Sequence, residues 1–416
     1  MTSTASRPAE TAADTWLPEP PTLLSPWHTP ARAELQEQAR RFAMDEVLPV
    51  ADELDPQKGE IPRHLLDRMG ELGWFGITIP AEDGGLGLGV FEYCMVSEEL
   101  ARAWMSVASI LARSQGMGTS VADPGRRADL LRRSAAGSWI GAVALSEPDA
   151  GSDLANVQTR AVLEGDEWVV TGHKRWCGNA QAADFIQVLV RVSDPQPGES
   201  RSRGLRNLLL VKERGSFPPG LTGHPIDKVG YHGFLTWDLT FDGVRVPADD
   251  LIVEAGEGDS GAGFKEAQKF LNTARVHTAA RAVGLARAAV EDSVLYLQER
   301  EQFGHPIGDF QALRFALADM AAQVEQSRAF YRQVAHLLDE GLPCEKEAAM
   351  VKLQATEMAV QVTNQAMQLH GGNGYTTERQ VERHWRDARL TTIFEGTSEI
   401  QRRIISNKLL PRSPLA

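Results

Sequence analysis

Near its C-terminal end the chain reads Ile393-Phe394-Glu395-Gly396-Thr397-Ser398, a carboxylate set between two apolar residues and a glycine followed by two hydroxyls. Two kinds of chemistry fit that order. Thr397 or Ser398 can cap the N-terminus of a helix, where a nearby acidic residue is favoured by the helix dipole. A lone carboxylate beside Ile393 and Phe394 can also act as a general base, because apolar surroundings raise its affinity for a proton. The segment by itself leaves both readings open.

The rest of the chain bounds the choice. Its 416 residues exceed one ordinary core and imply two or three packed units. Hydrophobic residues make up 42% and charged residues 24%, the balance of a soluble globular protein. A net charge of −13 argues against nucleic acid or an anionic membrane as the main partner, since both reward a basic surface. A small anionic ligand needs only a local cluster of Arg and Lys and stays compatible. Cys94, Cys177 and Cys344 show no paired spacing, so neither a metal site nor a redox disulfide is expected, and a reduced, cytoplasmic setting fits. No run approaches the ~18 apolar residues of a membrane span, and no secretory pattern opens the chain.

The elements that must position Glu395 follow from periodicity. Residues 1–30, rich in Pro, Ser, Thr and Ala, read as a mobile arm that docks through Trp16 or Trp27. Residues 31–137 carry apolar positions at three- and four-residue steps and form an N-terminal helical domain. Within it IPAEDGGLGLGV is a loop rather than a dinucleotide fingerprint, and VFEYCMVSEELARAWMSVASILARS reads as one long, mostly buried helix. Residues 138–255 switch to period two, as in WVVTG, FIQVLVRV, NLLLVKE and TWDLTFDGVRVP, and predict a small middle β domain with ESRSRGLRN as an exposed hairpin or loop. After the link EAGEGDSGAGF, residues 256–416 return to helical periodicity, with long helices over 268–300, 309–340 and 344–370 and a shorter one over 398–409, which predicts a bundle.

Six stretches in register, LSEPDAGSD, GHKRW, EREQFGHPIGDFQ, QLHGGNGY, RDARL and IFEGTSEIQ, resemble the markers of the acyl-CoA dehydrogenase family. The likeness covers nearly all of the chain beyond the first thirty residues. It implies a mainly α fold with a central β-barrel or sandwich and a C-terminal four-helix bundle. It also implies bound FAD, a coenzyme A thioester as substrate, and insertion of a double bond between Cα and Cβ. Such a reaction needs the base, the Cα–Cβ bond and flavin N5 held in line, with donors on the thioester oxygen. In the family one of those donors is the backbone N–H of the base, and Glu395 matches the base itself. Gly396 then lets chain and substrate approach closely.

Further roles are carried by the same resemblance. Leu145, Ser146 and Ser152 match the loop along the isoalloxazine and the start of the pantetheine, and Trp176 matches an aromatic residue packed on the flavin. Arg300, Phe303 and Gln311 match residues given to the FAD by a neighbouring subunit, with Arg300 suited to pyrophosphate. Gln368, Gly371 and Gly372 resemble a second phosphate or adenine contact, and Thr397 and Glu399 match contacts near the adenosine. Asn272 and Arg275 align with a coenzyme A-binding Asp-x-x-Arg. A site shared between chains implies an oligomer, a homotetramer built as a dimer of dimers, and an electron-transferring flavoprotein as acceptor.

Two departures stand out. The family's Trp-Ile-Thr, whose Thr hydroxyl reaches flavin N5, is here Trp176-Cys177-Gly178, and its Asp is here Asn272. Gly178 removes a side-chain donor, which leaves open an oxygen-using oxidase or monooxygenase on the same scaffold; a carrier-protein-bound acyl group is a further alternative. Ala274 stands where some members place the base, so Glu395 has no rival there. EELARAWMSVASILARS, TGHPIDKVGYHGF and TARVHTAARAVGLA resemble the methylsuccinyl-CoA dehydrogenase branch, which implies a short or branched, and in that branch dicarboxylic, acyl chain. A distal carboxylate needs a second cation, for which Arg113, following the helix that would back the pocket, is the candidate.

Overall fold

The computed structural model describes residues 26–252 and 262–410. Trp16, most of the N-terminal arm and most of the glycine-rich link lie outside the described residues. Trp27 lies within them and does dock. Its indole packs on Phe91 with ring centroids 5.5 Å apart and on His336 at 4.8 Å.

Helix α1 (Pro30–Arg41) starts where Thr29 caps the Arg32 N–H and Pro30 supplies a preset φ. It runs through a π-turn, Phe42–Val47, into α2 (Leu48–Leu54), and α3 (Arg63–Glu71) stops before the left-handed Gly73. Helix α4 (Val90–Ala103) is buried on nearly every residue. The single long helix expected here is in fact broken. Trp104 adopts an extended backbone, φ −156° and ψ 110°, and the chain restarts as α5 (Met105–Ile110). Packing explains the break, because the Trp104 ring occupies the volume over Gly233, where a Cβ would meet its Cζ2 at 2.3 Å. The Ser106 hydroxyl also donates to the His232 carbonyl and ties the new turn to the middle layer. Helix α6 (Pro124–Ala135) follows, capped by Asp123.

The period-two stretches become strands of one curled sheet. They are β1 (Gly141–Ala144), β2 (Arg160–Glu164), β3 (Glu167–Gly178), β4 (Phe185–Arg191), β5 (Leu205–Val211), β6 (Leu221–Pro225) and β7 (Thr236–Pro247). Their order is β1-β4-β2-β3-β7-β6, with β5 paired on β4. ESRSRGLRN lies at the turn of the β4–β5 hairpin, whose register runs from Phe185 opposite Val211 to Arg191 opposite Leu205. The β3–β7 ladder slips between Lys174 and Cys177, a bulge that sets the direction of Trp176.

Helix α7 (Ala262–Glu299) begins the bundle. A two-stranded hairpin, β8 (Glu301–Gln302) and β9 (His305–Pro306), leads to α8 (Gln311–Asp339), α9 (Glu345–His370), α10 (Val381–Thr391) and α11 (Ser398–Leu409). One apolar core runs from α4 through α7 into α9. Gly284 permits the closest approach, since a Cβ there would meet the Glu98 carbonyl at 2.4 Å. Inside this core Arg287 pairs with Glu99 at 2.6 Å and with Glu98 at 3.0 Å, and Arg328 reaches Glu98 at 2.9 Å. Charges paired this deeply fix the register of α4 against α7 and α8. Among the described residues no helix is long and apolar enough to cross a membrane.

Candidate active site

Glu395 belongs to neither neighbouring helix. Helix α10 ends at Thr391, and the turn beyond it puts Glu395 at φ 53° and Gly396 at φ 89°, both left-handed. A left-handed glutamate is uncommon and persists only where its surroundings hold it. Here Lys352 Nζ donates to the Gly396 carbonyl at 2.8 Å, Gln401 Nε2 donates to the same oxygen at 2.9 Å, and the Ser398 N–H donates to Thr392 O at 3.0 Å. Thr397 caps α11 by accepting from the Ile400 N–H at 3.3 Å. Helix punctuation is therefore the work of Thr397, which leaves the Glu395 carboxylate free to face α7.

That carboxylate meets two side chains one turn apart on α7. Arg281 Nη2 donates to Glu395 Oε1 at 2.9 Å, and the Thr278 hydroxyl contacts Oε2. Arg281 also donates to Thr278 Oγ1 at 3.0 Å and to Ser109 Oγ at 2.7 Å, while its guanidinium lies 4.9 Å from the Phe394 ring centre. Arg281 is 1% exposed and Glu395 26%. Burial opposes the Arg281 charge, but Glu395 and then Tyr231 and Tyr93 outweigh it and hold its proton more tightly than usual. His277, stacked on Tyr93 at 4.5 Å, is driven well below the ordinary histidine range by burial and by Arg281, so its ring is neutral. Burial likewise pulls Lys352 down to about 8, against the opposing pull of Glu395. Sequence reasoning passed over Thr278, Arg281 and Lys352. Arg281 carried a signal, being a cation set among alanines in AARAVGLA on the buried side of a helix.

The candidate flavin residues divide into two groups. Leu145, Ser146, Trp176 and Gly178 are neighbours, because the Arg175 N–H donates to Ser146 O at 2.8 Å and Lys174 Nζ donates to Leu145 O at 2.9 Å. Trp176 sits on the bulge with φ 66° and is 55% exposed, under the Arg175 guanidinium. An indole forced outward by its own strand is no core residue. It is an aromatic platform, and it fits an isoalloxazine ring. Ser152 is exposed on the same loop.

The second group lies elsewhere. Arg300 is nineteen residues beyond Arg281 on the α7 line, about 28 Å at helical rise. Phe303, at φ 56° and 89% exposed, and Gln311, at the first turn of α8, belong to that same end. Gln368, Gly371 and Gly372 end α9 nearby, where Tyr296 stacks on His370 at 4.4 Å and Asn373 Nδ2 donates to Tyr296 Oη at 2.9 Å. A Cβ at Gly371 or Gly372 would meet nothing within 4 Å, so their backbone is open to an approaching group. Glu399 is exposed on α11 with Arg402 at 3.6 Å. Within one chain Arg300, Phe303, Gln311, Gln368, Gly371 and Gly372 are not gathered around Glu395, whereas Glu399 lies in the first turn of the helix that follows it. Phe303 and Arg300 are exposed at that end of the chain.

Of the substrate candidates, Asn272 Oδ1 accepts from Arg275 Nη1 at 2.7 Å, one turn before Thr278 on α7. Arg113 ends the 3₁₀ turn after α5, its guanidinium 5.3 Å from the Phe234 ring centre. Sequence reasoning also missed a buried pair that shapes the loop LSEPDAGSD. Glu147 accepts from Lys174 Nζ at 2.9 Å and from the backbone N–H groups of Gln158 at 2.7 Å and Thr159 at 2.9 Å. Burial raises the Glu147 carboxyl, but the donors of Thr159, Gln158 and Lys174 overcome it and hold it below the usual glutamate range; burial lowers Lys174 to about 8.

Family models match in chain order: acyl-CoA dehydrogenase, N-terminal domain, over residues 29–137; middle domain, over 142–244; and C-terminal domain, over 261–410. The chain belongs to the acyl-CoA dehydrogenase family, whose members are FAD-dependent oxidoreductases that dehydrogenate acyl-CoA thioesters. It is 40% identical to a probable acyl-CoA dehydrogenase of Bacillus subtilis (strain 168), over 90% of this chain and 97% of the relative. It is 38% identical to the (2S)-methylsuccinyl-CoA dehydrogenase of Cereibacter sphaeroides, over 90% of this chain and 69% of that protein. Among solved structures, butyryl-CoA dehydrogenase from Megasphaera elsdenii superimposes with a TM-score of 0.84 at 33% identity, covering 92% of this chain and 99% of that one.

Proposed function

We propose that Glu395 is the base that removes the α-proton of a short or branched acyl-CoA thioester, on its way to the trans-2-enoyl product. One observation carries this reading: a carboxylate fixed on a left-handed turn outside both helices, against apolar Ile393 and Phe394, with only part of its surface open to solvent. FAD, when bound, supplies the two-electron acceptor for the hydride that leaves Cβ. Leu145, Ser146 and Trp176 would hold its ring, and Ser152 the start of the pantetheine arm. Arg275, braced by Asn272, would meet the coenzyme A portion.

The residues of the chain divide the remaining work. Lys352 and Gln401 anchor the Gly396 carbonyl and so hold the turn that carries Glu395, whose backbone N–H would be a donor for the thioester oxygen. Gly396 leaves room for that approach. Thr278 and Arg281 each contact one oxygen of the carboxylate and orient it, and a second lone pair on each oxygen stays open to a proton. Arg300, Phe303, Gln311, Gln368, Gly371, Gly372, Thr397 and Glu399 would complete the FAD site across a subunit boundary in a homotetramer. The reduced enzyme would pass its electrons to an electron-transferring flavoprotein.

The test is anaerobic mixing of the purified yellow protein with a panel of thioesters, followed by admission of air. The expected result is loss of the visible flavin band with short-chain thioesters and slow recovery in air. No bleaching by any thioester overturns the reading, and immediate recovery in air assigns oxygen chemistry instead.

A further inference from the structure

Strand β3 carries a two-against-one bulge beside the candidate flavin loop. Lys174 pairs with Leu239 and Cys177 with Trp237, so Arg175 and Trp176 together oppose one residue of β7, Asp238. Successive side chains of a regular strand point to opposite faces. Here the bulge, with Trp176 at φ 66°, brings two neighbours together, and the Arg175 guanidinium lies 4.9 Å from the Trp176 ring centre. An aromatic residue at positive φ is an outlier that its surroundings must hold. Burial does not hold this indole, which is more than half exposed. The Arg175 side chain is itself tied down: Nη1 donates to Asp238 Oδ2 at 2.8 Å, and the other carboxylate oxygen, Oδ1, meets His173 Nε2. An ion pair this open to solvent adds little to folding. What it does supply is a fixed direction for the guanidinium.

We infer that Arg175 and Asp238 are positioning residues for FAD: the carboxylate holds the guanidinium against the indole, and the guanidinium presets the indole for the flavin ring. The inference rests on Trp176 as the flavin platform. A guanidinium is planar, stays charged and packs on the face of an aromatic ring. An indole has two faces, and Arg175 takes one, which leaves the other to a flat ligand. The gain is preorganisation. An exposed indole free to turn about its side-chain torsions loses that freedom when a ligand stacks on it, whereas an indole already pinned does not. Asp238 is needed because an unpaired guanidinium is drawn into water and away from the ring. The main chain of Arg175 has a separate task, its N–H donating to Ser146 O at 2.8 Å. That bond survives any substitution at 175 that keeps an N–H, so the side chain can be tested by itself.

The test follows FAD release from the diluted holoenzyme, read as the rise of free-flavin fluorescence. Arg175→Met should release FAD about 3- to 10-fold faster than wild type, the scale expected for one side chain left unordered. Asp238→Asn should move release in the same direction and keeps the test available should Arg175→Met fold poorly. Arg175→Lys keeps the charge but not the planar fork, and should resemble Arg175→Met. In a Trp176→Leu background, where release is already fast, Arg175→Met should add no further acceleration, because the guanidinium has no ring to hold. A second readout is the emission of the bound flavin, which a stacked indole quenches. That emission should rise in Arg175→Met and in Asp238→Asn before any FAD leaves. Wild-type release and emission in both variants, full rescue by Arg175→Lys, or equal acceleration with and without Trp176 overturns the inference. Wild-type release from Trp176→Leu is a different result: it removes the platform reading itself, and the inference with it.

Discussion

Gly178 and Phe234 share one volume: a Cβ at 178 would meet Phe234 Cε1 at 2.2 Å. The glycine that replaces the family's threonine is therefore a packing requirement of this chain. Phe234 is fixed from three sides. Its backbone carbonyl accepts from Lys228 at 2.6 Å, Arg113 lies over its ring, and the preceding Gly233 is pressed against Trp104. Residue 178 is thus coupled to the wall that carries Arg113.

Restoring the threonine should accordingly be harmful on its own. Gly178→Thr is expected to destabilise by about 1–3 kcal/mol through overpacking, and Gly178→Thr with Phe234→Leu should recover part of that loss. Urea unfolding of the two single variants and the double variant measures the coupling. A neutral Gly178→Thr, or strictly additive effects, would contradict the shared volume.

The pair of Glu147 and Lys174 holds the loop that bears Leu145 and Ser146. Lys174→Met leaves Glu147 buried with two backbone donors and no cation, and should cost about 3–5 kcal/mol. The loop should also loosen, so the protein should lose FAD during gel filtration, read as a fall in the ratio of visible to ultraviolet absorbance. Full retention of colour and stability would show that the loop is held by other contacts.

Lys352 donates to the Gly396 carbonyl and also acts on the Glu395 carboxylate through space. Lys352→Met should lower kcat about 10- to 100-fold while KM changes less, since a misaligned oxyanion donor weakens the transition state more than the ground state. Steady-state kinetics on butyryl-CoA decide this. A pure KM effect would assign Lys352 to binding.

Asp387 gives a pH signature. It accepts from the Tyr231 N–H, and burial, aided by Asp55, raises its carboxyl to about 6 from an ordinary 3.8. Between those values the native protein holds a proton that the unfolded chain has lost, so this group stabilises the fold below about 4, and that contribution is lost as pH rises through about 6. Asp387→Asn keeps the acceptor and removes the buried charge. It should raise stability by about 1–3 kcal/mol at pH 7 to 8, with the gain shrinking as pH falls from 6 to 4. A gain independent of pH would rule out titration of Asp387 as its source.

The sequence made the layers legible because each has its own period: α7, α8 and α9 are long enough for helical spacing to be unmistakable, and β3 and β7 alternate clearly. Trp104 was not legible. Nothing in AWMSVAS marks a break that arises from a ring 129 positions away in sequence from its glycine partner, Gly233. The site shows the same division. Glu395 and Trp176 could be proposed from local sequence and resemblance, whereas Arg281, Lys352 and Glu147 act through contacts between elements far apart in the chain. Arg281 and Glu395 are separated by 114 positions, and no local pattern announces that they meet.

The central claim is that one carboxylate, Glu395, takes the α-proton. Its most direct measurement is anaerobic stopped-flow absorbance of the Glu395→Gln variant mixed with butyryl-CoA and with (2S)-methylsuccinyl-CoA. The account predicts a yellow, FAD-loaded protein whose visible band persists with both thioesters while wild type bleaches. Bleaching of Glu395→Gln at the wild-type rate would contradict it.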